Sequence, residues 1–168
     1  MTSESTVKRD VIFYLPDLGC GGVEKVFLAL AENFANSGAS VIFLVGNRSG
    51  DLMDAFPENI AVVNLLAKSR VQQVKKLTKF LKERRNKDFI VLTGGEITNI
   101  VVMISGILSY SLSKIVPSIR STISIPLNQK SILVRKLIQV FFFFALKKVH
   151  KVICNSEYAA RELQFLFR

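Results

Sequence analysis

Six short apolar segments recur along the chain, and each has the composition of a buried β-strand. They cover residues 10–15, 40–46, 60–66, 88–95, 114–121 and 151–156. Their apolar runs are nearly continuous, which is typical of strands that are covered on both faces of a parallel sheet. Segments of helical length separate most of these strands, so the pattern predicts strands and helices in alternation.

Most of the intervening segments have helical periodicity, with apolar side chains three or four positions apart. Helices are predicted over residues 23–36, 71–85, 97–108 and 131–148, and from residue 157 onwards. Ser156 is a favourable N-cap for the last of them. We therefore predict the α/β class, with a Rossmann-like, doubly wound parallel sheet in three α/β/α layers. The link between the second and third strands is expected to be mostly loop.

The length and composition fit one domain. The chain has 168 residues, of which 49% are hydrophobic, and this is enough for one core. Residues 1–9 are polar and are expected to form a flexible tail, with a single domain over residues 10–168. The tail lacks the apolar core of a signal peptide, the apolar segments are shorter than a membrane span, and only Cys20 and Cys154 are present. These features favour a cytoplasmic location.

Positive charge is concentrated in the second half of the chain. The formal net charge is +10, and between residues 68 and 151 the acids are Glu83, Asp88 and Glu96 alone. Such a surface suits phosphorylated ligands, nucleic acids or anionic membranes. No RNA-binding or helix-turn-helix signature appears, so we do not expect a nucleic-acid partner.

The segment 131–148 allows two interpretations. Its apolar residues extend around almost the whole helix, and lysines or arginines flank both ends. A fully buried core helix has this pattern. An interfacial helix on an anionic membrane has it as well, because aromatic and aliphatic side chains enter the headgroup region while cations contact the lipid phosphates. A peripheral position at the inner face of the membrane is therefore a candidate.

The stretch GCGGVEK contains three glycines between the first strand and the first helix. Gly21 and Gly22 allow close approach of the backbone to a ligand, and the helix N-terminus favours phosphate. A tight turn without a ligand explains the glycines equally well. A dinucleotide fingerprint requires a third glycine where Glu24 stands, and Asn47 and Arg48 follow the second strand where an acid is needed. A dinucleotide enzyme therefore fits less well.

These segments resemble a known enzyme family. The stretch from Leu15 to Gly46 is similar to the opening of family 4 glycosyltransferases of the GT-B fold, which have a G-G-[AV]-E-[KR] turn and then an amphipathic helix. KVICNSEYAARELQ resembles the family segment V-[IV]-x-x-S-E-x-x-x-x-x-L. The resemblance covers residues 10–163 and matches the amino-terminal, acceptor-side domain. Val149 and His150 stand where many members have Ala-Asp.

The resemblance implies retaining transfer from a nucleotide-sugar to a surface-glycan or lipid-linked acceptor, such as a lipopolysaccharide precursor. The chain ends about where relatives cross into the donor-binding domain, so we expect that domain in trans or in a longer polypeptide. Gly21, Gly22 and Arg120 are then expected near the donor diphosphate. No catalytic side chain, metal ion or other cofactor is implied.

Other residues remain candidates for acceptor contacts. Glu96 follows a glycine pair at the end of the fourth strand, although a favourable charge in the first turn of a helix explains it too. Ser156 and Glu157 follow the sixth strand, where their main expected role is helix capping. His150 has no partner for acid–base chemistry in the sequence and is expected to be structural. The alternative overall interpretation is a non-catalytic binding module that keeps the fold.

Overall fold

The computed structural model describes residues 9–19, 21–47, 50, 56–57, 59–120 and 131–166. Its strands are β1 Asp10–Leu15, β2 Ser40–Val45, β3 Ala61–Asn64, β4 Phe89–Gly94, β5 Ile115–Ile119 and β6 Ile153–Cys154. Its helices are α1 Gly22–Asn36, α2 Arg70–Glu83, α3 Glu96–Leu108, α4 Ile132–Leu146 and α5 Glu157–Leu166. A short 3₁₀ turn, Leu112–Lys114, leads into β5.

The strands form one parallel sheet in the order β3-β2-β1-β4-β5-β6. From β1 the chain moves outward through β2 to β3. It then crosses back to β4, on the other side of β1, and continues outward through β5 to β6. The predicted Rossmann-like, doubly wound fold is confirmed. The change of direction creates a topological switch point between β1 and β4.

Apolar side chains pack on both faces of the sheet, which explains why the strands are continuously apolar. On one face, called the α1 face, Phe13 and Phe43 pack with Phe27 of α1. The rings of Phe13 and Phe27 meet edge to face with centroids 5.6 Å apart. On the other face, called the α2–α4 face, Ile12 and Val91 pack with side chains of α2, α3 and α4. These contacts give the three predicted layers.

Several element ends differ from the prediction. Residues 60–66 were expected to be a strand, but β3 ends at Asn64 because Leu66 has φ 54°, a left-handed conformation that strands do not contain. Residues 151–156 were also expected to pair, but β6 consists of Ile153 and Cys154 only. The predicted division into a tail and one domain stays a prediction, since residues 1–8 lie outside the described ranges.

Helix α4 is buried on one side only, so it is not the fully buried core helix that its sequence allowed. Its inner side belongs to the core of the α2–α4 face through Phe142 and Ala145, which are buried, and Ile138, which is half-buried. Its outer side carries four exposed apolar residues spaced as one helical stripe, and we call them the α4 stripe. They are Leu133 (79% exposed), Leu137 (69%), Val140 (53%) and Phe144 (62%). Helices long and apolar enough to cross a bilayer are absent from the described residues.

Candidate functional site

All strands of a parallel sheet end at the same edge, which we call the carboxyl edge. Ligands of doubly wound sheets bind there, in the crevice at the switch point. In this chain the switch point lies between β1 and β4, where Tyr14 is in register with Thr93. Helix α1 leaves this point over one face of the sheet, and α3 leaves it over the other. The candidate site is therefore bounded by the first turns of α1 and α3.

The glycine turn, residues 19–22, joins β1 to α1 at the switch point. Gly21 is the N-cap of α1, with φ −70° and ψ 165°, and no side chain caps the helix. Gly21 and Gly22 are exposed, and a Cβ added at Gly22 would meet no atom within 4 Å. The first turn of α1 therefore presents backbone N–H groups at these positions, and the Glu24 carboxylate lies beside them against Gly21.

A second glycine turn lies beside the first, at the end of β4. Gly95 has φ +89°, a conformation that other residues rarely adopt, and it is the N-cap of α3 without a side-chain cap. Gly94 packs against α1, so a Cβ there would lie 3.0 Å from Val23 Cγ1. Glu96 begins α3 and is half-buried. Two uncapped helix N-termini thus flank the switch point.

Arg120 follows β5 and reaches towards α1. Its guanidinium carbon lies 5.4 Å from the centroid of the Phe27 ring, and its Nε donates to Ser118 Oγ at 3.4 Å. Phe27 is five residues after Gly22, which is about 7.5 Å along the helix axis. The structure therefore brings Arg120 to the same part of the carboxyl edge as the glycine turn.

Ser156 and Glu157 lie at the end of β6, and two strands separate β6 from β1. Ser156 Oγ accepts a hydrogen bond from the Ala159 amide at 3.2 Å, as a helix cap does. Glu157 Oε1 accepts from Arg161 Nη2 at 2.7 Å. Both residues stabilise the start of α5, and the structure does not bring them together with the glycine turn.

A polar cavity that the sequence did not reveal lies at the carboxyl ends of β1, β2 and β3. Its volume is about 340 Å³, and we call it the Arg70 pocket. Its lining residues are Pro16, Asp17, Asn47, Ala67, Lys68, Ser69, Arg70 and Gln73. Backbone hydrogen bonds join the loops around it: the Asn47 amide donates to Pro16 O at 3.0 Å, and the Ala67 amide donates to Gly46 O at 2.7 Å. The pocket is therefore built by the ends of adjacent strands.

Buried polar groups form the inner side of the Arg70 pocket. Gln73 is 6% exposed, and its Oε1 accepts from Arg70 Nη1 at 3.0 Å. A Cβ added at Gly46 would lie 2.7 Å from Pro16 O, 3.0 Å from Gln73 Nε2 and 3.1 Å from Tyr14 Oη. These atoms leave no room for a side chain at position 46, which is why glycine is needed there. A glutamine among the inward positions of α2 was the one signal in the sequence that could have indicated the pocket.

The Tyr14 hydroxyl is unusual because it is buried without a hydrogen-bond partner among the described residues. Burial raises the pKa of the Tyr14 phenol, whereas the positive charge of Arg70 lowers it and the Asp17 carboxylate raises it further. Arg70 and Asp17 both line the pocket, so the hydroxyl lies within the influence of its charges. Thr93 Oγ1 and Asn99 Oδ1 are also buried without a described partner. Such groups are uncommon in native proteins and call for an explanation.

The remaining reactive side chains lie elsewhere. The backbone amide of His150 donates to Ile115 O at the opposite end of β5, so the histidine is remote from the carboxyl edge. Burial raises the pKa of the Cys154 thiol, which makes the thiolate scarcer. Within the described ranges, no three His, Cys, Asp or Glu side chains are close enough to hold a metal ion together. Cys20 and Arg48 lie outside the described residues.

Comparison with known proteins identifies the family. The family model for Glycosyltransferase Family 4 matches residues 20–168. The chain belongs to glycosyltransferase family 4. The match includes Gly21, Gly22, Arg120 and the segment from β6 to α5, so the family resemblance of the sequence is confirmed. A comparison with curated protein sequences finds no match to this family 4 chain.

The chain shares its fold with a solved enzyme structure. Sucrose-phosphate synthase from Thermosynechococcus elongatus matches with a TM-score of 0.61 and 13% identity, over 94% of this chain and 45% of that chain. The family 4 chain thus spans less than half the length of sucrose-phosphate synthase, which agrees with one Rossmann-like half of a GT-B architecture. An alpha-glucosyltransferase solved in complex with UDP and a 13-mer DNA matches with a TM-score of 0.49 and 16% identity, over 87% of this chain and 37% of that chain.

Proposed function

We propose that this family 4 domain binds the acceptor in a retaining glycosyl transfer, and that a separate donor-binding domain supplies the nucleotide-sugar. The donor-binding domain acts either in trans or as part of a longer polypeptide. The acceptor is a surface glycan or a lipid-linked sugar. Family membership supports the class of reaction. The incomplete coverage of sucrose-phosphate synthase supports the requirement for a second domain.

One observation carries the proposal: the N-termini of α1 and α3 and the Arg120 guanidinium lie at one switch point. Backbone N–H groups and a guanidinium stabilise a departing diphosphate, because negative charge accumulates on its oxygens as the glycosidic bond to the sugar breaks. Glu96 at the start of α3 is a candidate partner for an acceptor hydroxyl in the same crevice. Ser156 and Glu157 remain candidates only for acceptor contacts at the far end of the crevice, after β6.

The test measures glycosyl transfer by the chain alone and by the chain mixed with a family 4 donor-binding domain. Radiolabelled nucleotide-sugars and an extract of lipid-linked and glycan acceptors serve as substrates. We expect transfer only in the mixture, and we expect Arg120→Gln to reduce the rate of transfer at least tenfold. Lys87→Gln is the matched control, because it removes one positive charge from an exposed position just before β4, at the opposite edge of the sheet. Absence of transfer with every donor would favour the non-catalytic binding module.

We further propose that the domain docks on an anionic membrane through the α2–α4 face. The α4 stripe exposes four large apolar side chains, and exposed lysines surround it: Lys136, Lys147, Lys148 and Lys151. Helix α2, which covers the same face of the sheet, adds the exposed Lys75, Lys79 and Lys82. Apolar side chains among cations complement a leaflet with anionic headgroups. Docking of this kind would place the domain beside a lipid-linked acceptor.

Vesicle flotation tests the membrane proposal. The chain is expected to float with phosphatidylglycerol-containing vesicles and to remain unbound with pure phosphatidylcholine. Leu137→Glu should abolish flotation. Val26→Glu is the matched control, because Val26 is an exposed apolar residue (42%) on α1, which covers the other face of the sheet. Equal flotation of both variants would show that the α4 stripe is not the docking surface.

A further inference from the structure

The Arg70 pocket is a built cavity at the carboxyl edge of the sheet. It occupies about 340 Å³, and hydrogen bonds from the Asn47 and Ala67 amides hold the loops around it. Gln73 closes its inner side: the side chain is 6% exposed, and its Oε1 accepts from Arg70 Nη1 at 3.0 Å. The guanidinium is therefore held in place at the start of α2.

The charges of the pocket define the chemistry of its ligand. Lys68 and Arg70 are exposed cations on one side, and Asp17 is an exposed carboxylate on the other. The two cations suit a phosphate, and the guanidinium can bind it through two parallel hydrogen bonds. The carboxylate repels a bare anion but accepts hydrogen bonds from hydroxyl groups. A ligand that carries a phosphate and hydroxyl groups satisfies both sides.

We infer that the Arg70 pocket binds a phosphorylated polyol or sugar, with Lys68 and Arg70 at its phosphate and Asp17 at its hydroxyl groups. The identification of this ligand as the phosphorylated part of the acceptor rests on the proposed function. The pocket itself rests on its geometry alone. It lies at the ends of β1, β2 and β3, whereas Arg120 lies on the other side of the switch point, after β5. The two anion sites are therefore separate.

The inference is tested by NMR titration of the ¹⁵N-labelled chain, without a donor domain or nucleotide-sugar. The probes are a hexose 6-phosphate, the unphosphorylated hexose and inorganic phosphate. We expect the hexose 6-phosphate to shift the amide resonances of Asn47, Lys68 and Arg70. The hexose and inorganic phosphate should each bind at least tenfold more weakly, because each satisfies one side of the pocket only.

Three variants separate binding from folding. Arg70→Gln should weaken hexose 6-phosphate binding at least tenfold, but it also removes the contact with Gln73. Lys68→Gln should weaken binding by a comparable factor, and the Lys68 side chain makes no described contact that the fold could lose. Lys87→Gln is the control for net charge and should bind as the wild-type chain does, because Lys87 is exposed just before β4, at the opposite edge of the sheet. Lack of any shift at the pocket, or equal weakening by Lys87→Gln, would overturn the inference.

A lipid headgroup and a soluble sugar phosphate can both carry a phosphate and hydroxyl groups, so a second titration uses micelles of a short-chain phosphatidylglycerol. Shifts at the pocket with either source support the site, and the tighter ligand identifies the source. Because donor components are absent, failure of this titration would not contradict the proposed roles of Gly22 and Arg120 in glycosyl transfer. Conversely, failure of glycosyl transfer in the mixture leaves the pocket inference standing.

Discussion

Replacement of Gly22 by alanine separates a ligand-binding role of the glycine turn from a purely structural one. In the folded chain a Cβ at Gly22 would meet no atom within 4 Å, and Gly22 is the first helical residue of α1. Alanine lowers the conformational entropy of the unfolded chain and has the higher helix propensity. We therefore expect the free energy of unfolding to rise by about 0.5 kcal/mol.

Function should change in the opposite direction. If diphosphate oxygens approach the first amides of α1, the added methyl group occupies the space that they need. At least a tenfold loss of transfer is then expected, which corresponds to about 1.4 kcal/mol. Urea denaturation measures stability, and transfer by the mixture with the donor-binding domain measures function. A Gly22→Ala variant with undiminished transfer would refute a close approach of ligand at this turn.

Three further changes test the fold around the site. Gly46→Ala should lower the free energy of unfolding by about 2–3 kcal/mol in urea denaturation, because its Cβ would crowd the backbone of Pro16; unchanged stability would contradict this packing. The pKa of the Tyr14 phenol is raised above its ordinary value of 10.0 in the folded chain. The contribution of the protonated phenol to stability is therefore present below pH 10 and is lost as the pH rises above 10. Between pH 10 and 12, wild-type stability should therefore fall relative to Tyr14→Phe by up to about 1.4 kcal/mol per pH unit, and parallel pH profiles would argue against a buried phenol. Ser156→Ala removes the cap on α5 and should cost about 1 kcal/mol, seen as faster amide hydrogen exchange in that helix; unchanged exchange would exclude a capping role.

The fold could be predicted from the sequence because its determinants are local and repeated. Continuous apolar strands alternate with periodic helices, and this pattern leaves few arrangements other than a doubly wound sheet. The ends of the elements were less accessible. The strand predicted at residues 60–66 is apolar apart from Asn64, and the left-handed conformation of Leu66 in the folded chain marks where β3 stops.

The site was predicted in part, for a physical reason. Parallel strands place their carboxyl ends together, so the glycine turn after β1 and Arg120 after β5 could be assigned to one edge. The Arg70 pocket could not be predicted, because it depends on contacts between residues far apart in the sequence. Tyr14 and Gln73 look like ordinary core positions until Gly46 brings them together. In α4, periodicity could not show which apolar side stays exposed, since that depends on how the helix packs on the sheet.

We propose above that this domain forms a complete glycosyltransferase site only together with a donor-binding domain. The most direct measurement is transfer from nucleotide-sugars by the wild-type and Arg120→Gln chains, each alone and each mixed with that domain. We expect neither chain to transfer sugar alone, the wild-type mixture to transfer it, and the Arg120→Gln mixture to transfer it at least tenfold more slowly. Equal transfer by both mixtures, or none in either while the donor-binding domain binds its nucleotide-sugar normally, would contradict the proposal.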